Sequence, residues 1–515
     1  MTINTIAIIG AGTMGLGIAQ IAAQAGIKVL LFDAKLGEAE RKLQSLAKTL
    51  KVLAEKGKFT QESINSTLSN LLVVNELSQI SKAELVIEAI IEDLSIKQQL
   101  FANLEAIVSP EAILATNTSS LSVTAIASKC QYPQRVAGYH FFNPVPLMKV
   151  VEVISGLSTK PSVIDTLINL AKRMGHLGVT AKDTPGFIVN HAGRAYGTEA
   201  LKILGENIAD FMQIDTILTQ GVGFRMGPFE LMDLTGLDVS HPVMESIYNQ
   251  YYQEPRYRPH PLTRQMLNGN KLGRKVGEGF YRYEEGRKVL PYTPSLDEPK
   301  RDPTSVWVGA DIDEDKERII NYLIENNIPI DKSSHPNSDS LVLLAIYGED
   351  TTDAALRYEV NARQVVAIDP LLDFQKHCNL MPSIVTDKEF TQQALSVFSK
   401  ETSNNRDKDI STSVTIISES PGFVAQRVLS MIINLACDMA AQHIATPKDI
   451  DNAVKIGLGY PYGPIEWGDK LGPQRILLIL ERLLVSTGDP RYRPSSWLYR
   501  RAKHGISLFT QQRTF

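Results

Sequence analysis

The segment Arg135-Val136-Ala137-Gly138-Tyr139-His140-Phe141-Phe142-Asn143-Pro144-Val145-Pro146 runs on into Val150-Val151-Glu152-Val153-Ile154, so two apolar runs flank a turn stiffened by proline. Paired as a hairpin about Pro146, His140 and Glu152 stand equally far from the turn and become cross-strand neighbours on one face. A carboxylate beside an imidazole selects one tautomer and stabilises the cation, which suits the histidine to take a hydroxyl proton while hydride leaves carbon. The spacing alone fits a half-buried histidine with a structural acid partner equally well. Asn117-Thr118-Ser119-Ser120-Leu121 follows the apolar run Ile113–Thr116 and offers hydroxyl donors at the carboxyl end of a strand, where ligands of open α/β sheets bind. The same residue types also suit a helix N-cap.

A second chemistry lies at the amino end. Gly10-Ala11-Gly12-Thr13-Met14-Gly15 follows an apolar strand and opens a helical pattern, the context that gives GxGxxG its meaning. The first glycine permits the tight turn, the second lets a pyrophosphate approach the backbone, and the third lets helix pack on strand, with the helix N-terminus drawing phosphate charge. Asp33 ends the next strand, 18 residues after Gly15. A carboxylate there accepts hydrogen bonds from ribose hydroxyls and repels a 2′-phosphate, which favours NAD over NADP.

The elements that must position these groups alternate. From residue 3 to 182, short β-rich runs (Thr5–Gly10, Lys28–Asp33, Leu85–Ile90, Ile113–Thr116) alternate with helical stretches such as Met14–Ala25 and Leu94–Val108, which predicts a parallel sheet wrapped by helices. After Pro185 helical periodicity takes over to about Tyr283. The stretch from Pro291 to Pro303 reads as a linker, because its prolines and charges suit neither a helix nor a central strand. Beyond it weaker strands (Val306–Val308, Leu341–Ile346, Gln364–Ile368, Val414–Ile417) and helices near Asp313–Asn326 and Asp387–Lys400 are expected.

The chain also repeats itself. At an offset of 236, Pro185-Gly186-Phe187 returns as Pro421-Gly422-Phe423, Asp215 as Asp451, Gly221 as Gly457, and Gly227-Pro228 as Gly463-Pro464. Pro255-Arg256-Tyr257-Arg258-Pro259 returns as Pro490-Arg491-Tyr492-Arg493-Pro494 after a one-residue deletion. The fold class that follows is α/β: a Rossmann-type domain (1–184), an all-α domain (185–290), a degenerate Rossmann-like domain (303–412) and a second helical copy (413–515). The second half carries only Gly309 at the comparable turn and Gln426 where the first has Asn190, so it is expected to bind no dinucleotide and to be structural.

Composition excludes several classes. A net charge of -4 provides no basic field for a nucleic acid or an anionic membrane. The amino terminus MTINTIAIIG lacks a charged n-region, and the apolar runs near Val428–Ala441 and Ile476–Val485 are broken by Asn434, Asp438, Glu481 and Arg482. Three cysteines without metal-ligand spacing argue against a structural metal and fit a reducing, cytoplasmic setting.

The motifs GAGTMG, NTSSL, GYHFFNPVP, VVEVI and DTPGFIVN, in that order between about residues 3 and 290, resemble the L-3-hydroxyacyl-CoA dehydrogenase family. The resemblance implies oxidation of the 3-hydroxyl of an acyl-CoA thioester with NAD as cofactor, with His140 as base and Glu152 as its partner. It implies that Ser119 and Asn190 hydrogen-bond the reacting oxygen, and that Gly10, Gly12, Met14, Gly15, Asp33, Glu92, Lys97, Asn117 and Lys275 lie near NAD. Thr49, Lys56 and Asn143 fall on the substrate side, although the family pattern has serine where Thr49 stands. Size and arrangement also resemble the longer bacterial dehydrogenases of phenylacetate catabolism, which act on 3-hydroxyadipyl-CoA. In relatives with one helical domain that domain pairs two subunits, so the tandem copies are expected to pair as an intrachain pseudo-dimer, in a monomer or small homo-oligomer. The competing readings are a 3-hydroxy acid dehydrogenase of the hydroxyisobutyrate type, with lysine-based catalysis, and a non-catalytic NAD-binding scaffold.

Overall fold

The computed structural model describes residues 2–290, 301–399 and 413–512, so most of the Pro291–Pro303 linker lies outside the described residues. The first sheet is built from β1 (Thr5–Ile9), β2 (Lys28–Phe32), β3 (Leu71–Val73), β4 (Leu85–Glu88), β5 (Ile113–Thr116), β6 (Val136–Phe141), β7 (Val150–Ser155) and β8 (Leu177–Lys182), in the order β3-β2-β1-β4-β5-β6-β7-β8. Every pairing is parallel except β6 with β7. The central strands are buried on both faces, as crossover helices require, and therefore read as unbroken Val/Ile/Leu runs in the sequence. The order reverses between β1 and β4, and the crevice at their carboxyl ends is where an open α/β sheet takes its ligand.

The all-α expectation for 185–290 needs one correction. The segment ends in an antiparallel hairpin, β9 (Arg282–Glu284) and β10 (Arg287–Val289), turned by Glu285 and Gly286. Both turn residues have positive φ, the conformation that a two-residue hairpin loop demands.

The second sheet runs β11 (Val306–Ala310), β12 (Leu341–Ala345), β13 (Val365–Ile368), β14 (His377–Pro382) and β15 (Ser413–Ile416), in that order. It keeps the closing pattern of the first: β14 is antiparallel to β13 and β15 is parallel to β14, as β7 is to β6 and β8 to β7. The glycine turn has not survived. Asp311 follows β11 where Gly10 follows β1, and its carboxylate is held by Arg357 at 2.7 Å and Arg482 at 2.5 Å. A carboxylate tied to two arginines thus replaces the first glycine of the turn.

Compactness divides the chain otherwise than the repeat does. One unit comprises Met1–Ala192 with Met439–Gly463, and the other Gly193–Asp438 with Pro464–Phe515. The reason is an exchange that obeys the offset. Within the first unit the Lys182 N–H donates to the Ile444 carbonyl at 2.9 Å, and within the second the Ser418 N–H donates to the Ile208 carbonyl at 2.8 Å. The helix Pro447–Gly457, which belongs to the second repeat, therefore packs on β7, β8 and the helix Val189–Ala192. Within the second unit the duplicated Pro-Arg-Tyr turns, Pro255–Tyr257 and Pro490–Tyr492, pack on each other. Helix Val424–Ala441 is long and apolar enough to span a bilayer, but 89% of it is buried within the fold, which marks it as a core helix.

Candidate active site

The hairpin pairs as its spacing requires: β6 and β7 are antiparallel, with His140 opposite Glu152. His140 Nδ1 lies 2.6 Å from Glu152 Oε2, and both side chains are buried. The other carboxylate oxygen, Oε1, accepts the main-chain N–H groups of Ile188 at 2.9 Å and Val189 at 2.8 Å. With donors converging on both oxygens, Glu152 acts as acceptor, so Nδ1 carries the imidazole proton and Nε2 presents its lone pair. The two amides come from the Pro185-Gly186-Phe187 turn. Gly186 and Phe187 take consecutive positive φ values of 77° and 47°, which turns the chain so that the next two N–H groups meet the carboxylate. Phe142 and Phe187 pack against the imidazole at tilted angles, with ring centroids 4.5 Å and 5.9 Å away.

The Asn117–Leu121 loop is organised by Glu92. One oxygen, Oε1, accepts the Thr118 hydroxyl at 2.7 Å and the main-chain N–H groups of Ser119 at 2.8 Å and Ser120 at 3.1 Å. Burial pushes the Glu92 carboxyl up, but the Thr118 hydroxyl, Lys97 and the Ser119 N–H outweigh it and hold the carboxyl below its ordinary range. The Lys97 ammonium is buried between Glu88 at 2.5 Å and Glu92 at 3.2 Å, and so ties the end of β4 to the carboxylate that organises this loop. Asn117 likewise commits its side-chain oxygen, which accepts the Phe141 N–H at 2.8 Å and ties this loop to the end of β6, next to His140.

Each glycine of the amino-terminal turn has a separate physical reason. A Cβ on Gly10, which has φ of 106°, would lie 2.5 Å from the Ala89 carbonyl oxygen, and one on Gly15 only 1.8 Å from that of Gly10. Gly12 is different, because a Cβ there would meet nothing within 4 Å. It caps the helix Thr13–Gln24 without a side chain over the first amides, the open edge a pyrophosphate needs. Met14 sits in that first turn and packs against the sheet core. Asp33 anchors the turn by accepting the Ala11 N–H at 2.8 Å and the Lys35 N–H at 2.9 Å, one on each oxygen, which leaves each carboxylate oxygen a further lone pair for ribose. These residues fit a dinucleotide.

Comparison with known proteins agrees with this geometry. Residues 5–184 match the 3-hydroxyacyl-CoA dehydrogenase NAD-binding domain, and the C-terminal domain of the same enzymes matches twice, at 186–283 and 422–512. The chain belongs to the 3-hydroxyacyl-CoA dehydrogenase family. It is 37% identical to 3-hydroxyadipyl-CoA dehydrogenase of Escherichia coli over 98% of both chains, and 41% identical to a probable 3-hydroxybutyryl-CoA dehydrogenase of Bacillus subtilis over 55% of this chain and 99% of that one. A crystal structure titled 3-hydroxybutyryl-CoA dehydrogenase from Escherichia coli superposes with a TM-score of 0.84 at 36% identity, over 98% of this chain and 99% of the other. Membership makes the protein an NAD-dependent oxidoreductase and sets aside the hydroxyisobutyrate-type reading. The two C-terminal matches, beginning 236 residues apart at 186 and 422, show that the helical domain is duplicated.

Other residues predicted for this dehydrogenase lie as follows. Thr49 and Lys56 are exposed on and just after the helix Glu38–Glu55, and Asn143 is exposed in the hairpin turn. Asn190 lies on the helix Val189–Ala192, next to the amide that Glu152 accepts. Lys275 lies in the second compact unit and pairs with Asp238. The amides of Ile188 and Val189 were missed by residue-type reasoning, since main-chain donors leave no trace in residue type; their signal was the PGF turn itself.

The second half of this dehydrogenase shows what the loss of that arrangement does. Val179 pairs with Glu152, its repeat mate Thr415 pairs with Asn379, and the Asp369 N–H donates to the Asn379 carbonyl at 3.1 Å. His140, Glu152 and Asn190 are therefore replaced by Asp369, Asn379 and Gln426, with Gln426 donating to Asp369 at 2.9 Å. Burial raises the Asp369 carboxyl to about 6, so it binds its proton more tightly folded than unfolded. That contribution is fully present below the unfolded pKa, near 4, and is lost as pH rises through 6. Asp369→Asn is expected to remove this loss: its melting temperature relative to the parent should climb between pH 4 and 8, by the equivalent of on the order of 1–3 kcal/mol. A difference flat with pH in a thermal-denaturation series counts against the assignment.

Proposed function

We propose that the chain oxidises the hydroxyl of an L-3-hydroxyacyl-CoA to the 3-oxo thioester, with His140 as general base and Glu152 as the group that orients it. The observation that carries this reading is the 2.6 Å contact between His140 Nδ1 and Glu152 Oε2, together with the two amides behind it. Bound NAD supplies the hydride acceptor; the chain's own groups do the rest. The glycine turn and Asp33 hold the dinucleotide, His140 Nε2 takes the hydroxyl proton, and Ser119 and Asn190 hydrogen-bond the oxygen as its charge develops. Glu152 stabilises the imidazolium that results.

Within this class we favour a short dicarboxylic acyl group in a cytoplasmic catabolic route, because the Escherichia coli 3-hydroxyadipyl-CoA dehydrogenase shares the whole length including the duplicated half. The paired turns Pro255–Tyr257 and Pro490–Tyr492 support an intrachain pseudo-dimer of helical copies in place of a subunit pair. NADH formation followed with 3-hydroxybutyryl-CoA, a long-chain 3-hydroxyacyl-CoA and 3-hydroxyadipyl-CoA tests the reading. The dicarboxylic thioester should have the highest kcat/KM. A higher value for the long chain overturns the substrate assignment, and no NADH with any of the three overturns the activity.

A further inference from the structure

Among the glycine pairs of the internal repeat that the chemistry above does not use is Gly221 with Gly457. Gly457 ends the helix Pro447–Gly457, in a backbone conformation open to any residue. What keeps it small is contact. A Cβ there would lie 3.1 Å and 3.4 Å from the two methyl groups of Val189, and 3.7 Å from Val150 on β7. Val189 is the residue whose N–H, with that of Ile188, fixes Glu152 Oε1. The helix and the residues leading into it are tied to the sheet edge beside the dyad, by the Lys182 N–H to Ile444 and by Asp449, which accepts the Thr180 N–H.

We propose that Gly457, contributed by the otherwise non-catalytic second repeat, is a positioning residue for the first repeat's catalytic pair: its closeness to Val189 holds the two amides on Glu152, and Glu152 in turn holds His140. This rests on the reading of His140 and Glu152 as the working pair. It also gives the second half a task in catalysis although it carries no dyad. The chain of contacts is short: the Gly457 backbone sets Val189, the Val189 amide sets the carboxylate, and the carboxylate sets the imidazole. Errors of a fraction of an ångström at a general base cost rate without costing cofactor binding, because dinucleotide contacts are made elsewhere on the sheet.

The repeat supplies its own control. A Cβ on Gly221 would be at least as crowded, 3.0 Å from Leu372 and 3.5 Å from His377, but those neighbours lie on β14 of the second sheet and the loop before it, which carry no dyad. Alanine at either position adds one methyl group and raises local helix propensity, so the fold is retained.

The test uses the full-length chain with saturating NAD and 3-hydroxybutyryl-CoA. Gly457→Ala should lower kcat by about fivefold or more, leave KM for NAD unchanged, and raise the isotope effect from deuterium at C3, because the chemical step becomes more rate-limiting. Gly221→Ala should change none of these. The double variant Gly457→Ala with Val189→Ala, which removes the clash and keeps the amide, should recover most of the lost rate. Parental kcat and isotope effect in Gly457→Ala overturn the proposal. So does an equal loss in Gly221→Ala, or a loss that the double variant does not relieve. The reading of the dyad fails separately, if His140→Ala turns over normally.

Discussion

Replacing His140 with alanine is expected to lower kcat on the order of 100-fold or more, with the NAD dissociation constant little changed. The separation follows from where the groups lie. The turn Gly10–Gly15 and Asp33, proposed to hold NAD, lie at the ends of β1 and β2, whereas His140 stands on β6, three strands from β1 in the sheet. Removing the imidazole deletes the proton acceptor and leaves the glycine turn intact. Glu152 keeps the amides of Ile188 and Val189, so the buried carboxylate is not stranded and the β6–β7 hairpin survives. His140→Asn separates orientation from basicity. It retains a donor toward Glu152 but no general base, and should be as slow as alanine. Steady-state turnover and fluorescence titration of NAD decide the matter, and near-normal kcat in either variant refutes the base assignment.

The parts of this site legible in the sequence were those set by local geometry. A hairpin centred on Pro146 dictates that residues 140 and 152 meet, whatever lies around them. The glycine triplet is legible because only glycine fits at two of its three positions, and a pattern forced by sterics survives in the residue names. The burial of Lys97 was not legible, because what buries it is Glu88, which lies at the end of a strand and gives no local signal. β14 was missed because His377-Cys378-Asn379-Leu380-Met381-Pro382 has neither alternation nor a β-branched run, and its strand character comes from pairing with β13 and β15. The offset of 236 exposed the duplication, but not that Pro447–Gly457 packs on the first sheet. Periodicity shows which face of a helix is apolar, and the choice of sheet is made by tertiary fit alone.

Divergence between the two helical copies leads to the second large expectation: Arg427→Met should destabilise the protein by about 3–5 kcal/mol. Arg427 is buried, donating from Nε to Glu199 at 2.8 Å, from Nη1 to Glu206 at 2.8 Å and from Nη2 to the Tyr492 hydroxyl at 2.8 Å. The Tyr492 hydroxyl in turn donates a hydrogen bond to Glu199 at 2.7 Å, and Arg491 lies 3.7 Å from the same carboxylate. Burial pushes the Glu199 carboxyl up, but Arg427 and Arg491 overcome it and hold the carboxyl below its ordinary range. The stabilisation is therefore present at neutral pH and lost as pH falls through the lowered value. The repeat mates of Arg427 and Glu199 are His191 and Leu435, so the ion pair exists once, between unlike copies, and the helical domains have become complementary to each other rather than to themselves. Methionine at 427 fills the volume but leaves a carboxylate buried with one distant cation, the circumstance in which a broken buried pair costs most. Adding Glu199→Gln removes the stranded charge and should restore a large part of the loss, so that the double-mutant cycle reports strong coupling. Denaturant unfolding of the four proteins at pH 7.5 measures it; a fall of less than about 1 kcal/mol in Arg427→Met, or additive single effects, would show that this network does not hold the copies together.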